Sequence, residues 1–174
     1  AALMAATEIL AEQHFNTICS LLGKASASAD GDKPVRQYSS MLPHPISVGL
    51  IIGGLKESAK QEIQQRISAG DVDIIIGTHA LIQKGVDFPS LGLCVVDEQH
   101  RFGVMQRATL RSKGSSPHVL VMSATPIPRT LALTLYGDLD LSVLDELPPG
   151  RIEIVTRFLS PEQRQKAYDF VRKQ

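Results

Sequence analysis

The 174-residue sequence has no tryptophan, only two cysteines and no net charge. Aromatic residues make up 5% of the chain, which leaves little material for the stacking platforms that bind single strands. Cys19 and Cys94 are far apart and form no C-x-x-C pair, so a reducing cytosol fits better than a disulfide framework. The balance of 18 basic and 18 acidic residues argues against binding nucleic acid by bulk electrostatics alone.

Long hydrophobic runs are also missing. No run approaches the roughly 18 to 20 residues of a membrane span, and no secretory signal opens the chain. We therefore expect no membrane partner. With 43% apolar and 21% charged residues, the composition is that of a globular chain and not of a disordered one. The chain starts at Ala1 inside an apolar stretch, which predicts a piece of a longer polypeptide.

Short apolar runs alternate with amphipathic stretches, the pattern of a parallel α/β sheet. The predicted strands cover 1–5, 46–52, 73–76, 93–96, 118–122 and 141–144. The predicted helices cover 7–22, 56–68, 104–111 and 129–136, and the Gly-, Ser- and Pro-rich stretch 23–45 predicts a surface loop. After Pro148-Pro149-Gly150, which is typical of a linker, we expect a strand over 152–159 and a helix capped by Ser160.

Polar residues follow several of these strands, at the edge where doubly wound sheets bind ligands. The most informative are Asp97 and Glu98, directly after the apolar strand 93–96. A nucleotide–Mg²⁺ site needs one carboxylate for the hydrated metal and another to orient the attacking water. Taken alone, an acidic pair is more simply a solvated loop or a helix cap. Residues 99–137 contain basic residues and no acidic ones, which fits either a sheet edge that binds phosphate or a solvated helix face.

Other kinds of site have less support. The sequence contains no G-x-x-x-x-G-K-[ST] phosphate-binding loop. The five histidines lack metal-ligand spacing, and Ser123 lacks the flanking glycines of a nucleophile elbow. Cys94 lies in the middle of an apolar strand and is most simply a core residue.

Four segments carry a family resemblance. Residues 97–104 (DEQHRFGV) look like the Walker B segment of superfamily-two helicases, and they resemble two bacterial families in particular, the RecG helicases and the transcription-repair coupling factors. Residues 123–131 (SATPIPRTL) are similar to the third motif of these families, and residues 7–14 (TEILAEQH) to motif Ia. Residues 77–82 (GTHALI) are similar to the next DNA-contacting motif. The segments follow the family order over most of residues 1–150. Residues 131–140 (LALTLYGDLD) and 145–151 (DELPPGR) favour RecG.

The resemblance implies a role for each matching position. The catalytic group is Asp97, which holds Mg²⁺ through water, Glu98 as the base, and Gln99 and His100. The group that couples nucleotide state to DNA is Ser123, Ala124, Thr125 and Arg129. The residues that line the DNA track are Thr7, Glu8, Gly53, Gly77, Thr78 and His79.

The implied fold is RecA-like α/β of the P-loop NTPase type, a parallel sheet with helices on both faces that lacks its first strand and phosphate loop. Residues 1–147 are then most of the first motor lobe, and 148–174 are a linker and the start of the second. The implied cofactors are ATP and Mg²⁺, and the implied partner is branched or duplex DNA bound without sequence preference. We expect a monomer in a bacterial-type cytoplasm.

The function implied by the resemblance is that of an ATP-dependent DNA helicase segment that remodels replication forks and recombination junctions in repair. The isolated chain is expected to lack ATPase activity. One alternative is a translocase similar to the transcription-repair coupling factor. Another is a non-enzymatic, truncated lobe, for which nucleotide-independent and salt-sensitive binding to forked DNA would be evidence.

Overall fold

A computed structural model describes most of the chain. The described residues are 1–23, 35–39, 44–98, 101–125, 140–146, 154, 156 and 158–172. The chain divides into two compact units, Ala1–Pro126 and Ile127–Gln174. The boundary between lobes that the sequence places at 147/148 stays a prediction.

The first unit is built on a six-stranded sheet. Its strands are β1 (Ala2–Met4), β2 (Val35–Tyr38), β3 (Ile46–Ile51), β4 (Ile74–Gly77), β5 (Leu93–Val96) and β6 (His118–Val121). The order across the sheet is β2-β3-β4-β1-β5-β6. All neighbours are parallel except β2, which runs antiparallel to β3. The predicted α/β fold class is confirmed, with β2 as the one antiparallel strand in a sheet that was predicted to be parallel.

Helices cover both faces of the sheet. They are α1 (Glu8–Gly23), α2 (Glu57–Ala69) and α3 (Val104–Ser112), with a 3-10 helix at His79–Ile82. Neighbouring side chains of a strand point to opposite faces, and Ile75 and Ile76 accordingly belong to different core clusters. One cluster includes Ile63 of α2 and Leu110 of α3, whereas α1 contributes to the other. The core is therefore double, as the helices-on-both-faces prediction requires.

The second unit contains a 3-10 helix at Pro161–Gln163 that leads into α4 (Arg164–Arg172). The predicted final helix is present, but Ser160 makes no side-chain capping hydrogen bond. Among the described parts of the chain, no helix combines the length and apolarity needed to cross a bilayer.

Three local predictions are wrong or only partly tested. The predicted loop 23–45 contains β2, which pairs with β3. Its end residues Val35 and Tyr38 are 7% and 2% exposed and belong to the core clusters on opposite faces of the sheet. Residues 141–144 form no strand, since an apolar run needs a neighbouring strand to pair with and Leu144 is 98% exposed. The described residues of 152–159 are not in a strand either. The helix predicted over 129–136 lies outside the described residues.

Candidate functional site

The carboxyl ends of five parallel strands lie level along one edge of the sheet. The register pairs Ile51 of β3 with Gly77 of β4, Gly77 with Met4 of β1, Met4 with Val96 of β5, and Val96 with Val121 of β6. Backbone hydrogen bonds extend the ladder by one residue, with Asp97 N donating to Met4 O at 3.0 Å and Met122 N to Val96 O at 2.9 Å. The polar residues after these strands therefore emerge side by side.

The strand order sorts the predicted site residues into two halves of this edge. From one end of the edge to the other, the residues that follow the strands are Gly53, then Thr78 and His79, then Thr7 and Glu8, then Asp97 and Glu98, then Ser123 to Thr125. The first three groups are those assigned to nucleic acid, and the last two those assigned to nucleotide chemistry and coupling. We call these the track half and the acid half.

Asp97 has both carboxylate oxygens engaged. Its Oδ1 accepts a hydrogen bond from the backbone N–H of Glu98 at 2.9 Å, and its Oδ2 lies 2.7 Å from His14 Nε2 of α1. The side chains of His14 and Asp97 are 30% and 20% exposed. The carboxylate is thus held in place yet open to solvent on one side.

Glu98 adopts a left-handed backbone conformation with φ +52°. This region costs a residue other than glycine about 1–3 kcal/mol and is concentrated at functional sites. The carbonyl of Glu98 accepts a hydrogen bond from Arg101 N at 2.9 Å. Strain at one of the two adjacent carboxylates supports a functional reading of this pair over that of a simple loop.

The donor set at this position fits Mg²⁺. Within the described residues, no group of three or more His, Cys, Asp or Glu side chains could hold a metal ion. Mg²⁺ does not need such a cage, because it keeps several waters and is commonly bound by one or two carboxylates together with phosphate oxygens. Asp97 and Glu98 supply that number of carboxylates.

In the track half, Thr7 and Glu8 start α1. Thr7 Oγ1 accepts from Leu10 N at 3.3 Å, as an N-cap does. Glu8 Oε1 accepts from Gly54 N at 3.0 Å, and a Cβ placed on Gly53 would lie 2.7 Å from the same oxygen. A side chain at position 53 would therefore displace the end of the flexible Glu8 side chain. The Glu8 carboxylate thus connects the start of α1 to the Gly53-Gly54 turn.

The three residues after β4 differ in accessibility. Gly77 is buried, His79 is exposed, and Thr78 is 3% exposed. Among the described residues, the Thr78 hydroxyl has no hydrogen-bond partner. A buried polar group without a partner costs about 1–3 kcal/mol. Of the three residues, His79 is the one whose side chain is open to solvent.

Ser123, Ala124 and Thr125 are exposed at the far end of the acid half. The Ser123 and Thr125 hydroxyls are hydrogen-bonded at 2.7 Å, and Thr125 N donates to Ser123 Oγ at 3.3 Å. The predicted partners Gln99, His100 and Arg129 lie outside the described residues, so their part in the site stays a prediction.

The sequence analysis missed His14 as a site residue. It belongs to the segment 7–14 but carries no recognisable ligand spacing. The available signal was its position nearly two turns into a helix that starts at the candidate edge. The structure brings it to the acid half, whereas Glu8 of the same helix lies in the track half.

A comparison with protein families and known relatives gives one consistent result. The family model described as DEAD/DEAH box helicase matches residues 1–134. The chain is similar to ATP-dependent DNA helicases RecG from Synechocystis sp., 47% identical over 100% of this chain, and from Streptococcus pneumoniae, 48% over 94%. A third, from Bacillus subtilis, is 44% identical over 99%. The chain spans 19%, 21% and 23% of the length of these three relatives.

Two solved structures share the fold. A structure of RecG bound to a three-way DNA junction matches with a TM-score of 0.67 and 40% identity, covering 98% of this chain and 20% of that one. A helicase, MrfA, bound to DNA matches with a TM-score of 0.52 and 18% identity over 79% of this chain and 17% of that one. Because the identity to MrfA is only 18%, this similarity shows a shared fold and nothing more.

Proposed function

Because the chain belongs to the DEAD/DEAH box helicase family, we propose that it is a segment of the motor of an ATP-dependent DNA helicase that remodels branched DNA. The observation that carries the proposal is the single sheet edge on which the acid half and the track half adjoin. A motor needs this adjacency, since hydrolysis must change the grip on DNA. The similarity to RecG helicases, one of them solved with a three-way DNA junction, supports forks and recombination junctions as the substrates.

In the acid half, each carboxylate has a separate task. Asp97, held by His14 and the Glu98 N–H, binds Mg²⁺ through water. Glu98 orients the attacking water and takes its proton. When bound, Mg²⁺–ATP supplies the phosphoryl group, with the metal neutralising charge on its oxygens. DEAD/DEAH box helicases use ATP with Mg²⁺ in general, and the residues present suit that pair.

The track half holds the DNA backbone without reading its sequence. Exposed His79 contacts phosphate directly, and Thr7, Thr78 and the Gly53-Gly54 turn shape the surface. Phosphate contacts position a strand and carry no base information. A few local contacts also agree with a chain whose formal net charge is zero. Glu8 and Gly77 act by positioning.

The link between the two halves includes the hydroxyl pair Ser123 and Thr125. In this proposal they face Gln99 and His100, with Ala124 and Arg129 completing the group. A monomer working in the cytoplasm is part of the same proposal, and sedimentation of the protein on junction DNA tests the monomer.

The first test is DNA-stimulated ATP hydrolysis by the 174-residue chain and by a full-length protein that contains it. We expect turnover, stimulated by junction DNA, in the full-length protein only, because the segment contains no phosphate-binding loop. Turnover by the short chain that Glu98→Gln removes would show that the phosphates are held by other residues of this segment. No turnover in either protein would leave a non-enzymatic DNA-binding lobe as the better description.

The track is tested by His79→Ala in the full-length protein. Loss of one exposed contact to phosphate is expected to weaken binding about 2- to 10-fold, from a typical hydrogen-bond contribution of about 0.5–1.5 kcal/mol. Two forks of unrelated sequence should be affected equally. His44→Ala is the matched control, since His44 is also exposed but precedes β3 at the opposite edge. Sequence-dependent loss, or equal loss in both variants, would contradict the assignment of the track.

A further inference from the structure

Helix α1 makes one side-chain contact to each half of the site. At its first residue, Glu8 Oε1 accepts from Gly54 N at 3.0 Å. Six residues later, about 9 Å along the helix axis, His14 Nε2 lies 2.7 Å from Asp97 Oδ2. The side chains of Ala11, Phe15 and Cys19 anchor the helix in the core. A helix that is packed in this way moves as one body, so a shift at its start also moves His14.

The contact between His14 and Asp97 has a defined direction. An ionised carboxylate oxygen only accepts, so with Asp97 ionised the donor of this hydrogen bond is His14 Nε2–H. The Glu98 N–H already holds Oδ1 from the strand side. Asp97 is thus fixed by two donors, one from its own turn and one from α1, and only the second depends on where α1 lies.

We propose that His14 is a positioning residue through which α1 couples the DNA track to the metal-binding carboxylate Asp97. DNA bound at the start of α1 favours one position of the helix, and in that position His14 orients Asp97 for the hydrated Mg²⁺. This route is separate from the Ser123–Thr125 pair, which lies beyond β6 at the end of the edge. The inference rests on the proposed function.

Binding measurements can distinguish a residue that couples the two sites from one that only supports the fold. If the two sites are coupled, nucleotide changes the affinity for DNA by the same factor by which DNA changes the affinity for nucleotide. A structural contact lowers stability or both affinities but leaves their ratio unchanged. The ratio of DNA affinities with and without nucleotide, here called the coupling factor, therefore separates the two roles without reference to turnover.

Three substitutions of His14 isolate the Nε2 donor. His14→Phe keeps the ring and removes both nitrogens. The amide nitrogen of Gln falls near the position of Nε2, whereas that of Asn falls near Nδ1 and does not reach Asp97. His14→Gln therefore preserves a donor to Asp97, and His14→Asn does not. The partial exposure of His14, 30% of its side chain, makes all three compatible with the fold. His44→Phe is the control for adding an aromatic ring at an exposed histidine.

The experiment measures the affinity of a full-length protein containing this segment for a three-way DNA junction by fluorescence anisotropy. It is run with and without Mg²⁺ and a non-hydrolysable ATP analogue. The coupling factor is expected to fall at least about fivefold in His14→Phe and His14→Asn, the lower end of typical allosteric factors. It should stay within about twofold of wild type in His14→Gln and His44→Phe. Affinity for DNA without nucleotide serves as the check on folding.

The results that overturn the inference are an unchanged coupling factor in His14→Phe and His14→Asn, or a loss in His14→Gln as large as in His14→Asn. If His14→Phe lowers the nucleotide-free DNA affinity, the comparison of Gln with Asn, which are both polar, decides. Failure of the proposed function is visible separately. If the proposed function is wrong, the wild-type protein hydrolyses no ATP in the presence of junction DNA. If only the role of His14 is wrong, the wild-type protein still hydrolyses ATP.

Discussion

Glu98→Gln in a full-length protein containing this segment is expected to lower DNA-stimulated ATP hydrolysis about 10²- to 10⁴-fold, the range for loss of a general base. The amide has nearly the size of the carboxylate but cannot take the proton of the attacking water. The peptide N–H of residue 98 still donates to Asp97 Oδ1, because that contact uses the backbone only. Chemistry should therefore be lost while the arrangement of Asp97 is kept.

The binding steps distinguish this expectation from general damage. Affinities for junction DNA and for Mg²⁺–nucleotide should stay within about threefold of wild type, less than 1 kcal/mol. The matched control is Glu62→Gln, the same change at an exposed position of α2, which should leave turnover unaffected. Full activity of Glu98→Gln would remove Glu98 from the catalytic group, and a loss of nucleotide affinity equal to the loss of turnover would assign it to binding.

The sheet edge could be predicted from sequence because its signals are local. Each parallel strand is a short β-branched or apolar run, and a polar residue or glycine follows within three residues of its end. Asp97 after Leu93–Val96 is the clearest case. A parallel sheet necessarily brings such strand ends to one edge, so the edge followed once the strands were identified, whereas the roles of its residues came from the family resemblance.

Side-chain contacts between different helices, strands and turns could not be predicted from the sequence. The hydrogen bond from His14 to Asp97 joins residues 83 positions apart, and the one from Gly54 to Glu8 joins residues 46 apart. Neither has a periodic or compositional signal. The strand Val35–Tyr38 was missed for a related reason. It is short, follows a Gly- and Ser-rich stretch, and pairs with β3, a contact that the sequence does not indicate.

Gly77 has a packing role that the sequence did not indicate. The resemblance assigns it to the DNA track, yet it is buried at the end of β4. A Cβ on Gly77 would lie 2.3 Å from Ile51 O and 2.8 Å from Ile51 Cγ2. The backbone oxygen cannot move aside without separating β3 from β4. Glycine is needed here for close packing of two neighbouring strands, one of which leads to Gly53 and the other to Thr78.

Gly77→Ala is accordingly expected to lower the free energy of unfolding by about 3 kcal/mol, the upper part of the usual range for overpacking. Gly77 does not have a positive φ, so the cost is steric and not conformational. Gly92→Ala is the matched control, since nothing lies within 4 Å of a Cβ at that exposed glycine, and it should change stability by less than about 0.5 kcal/mol. Urea denaturation of both variants checks the difference. Equal stability would mean that the ends of β3 and β4 separate easily, and the level edge on which the track half depends would then be adjustable rather than preformed.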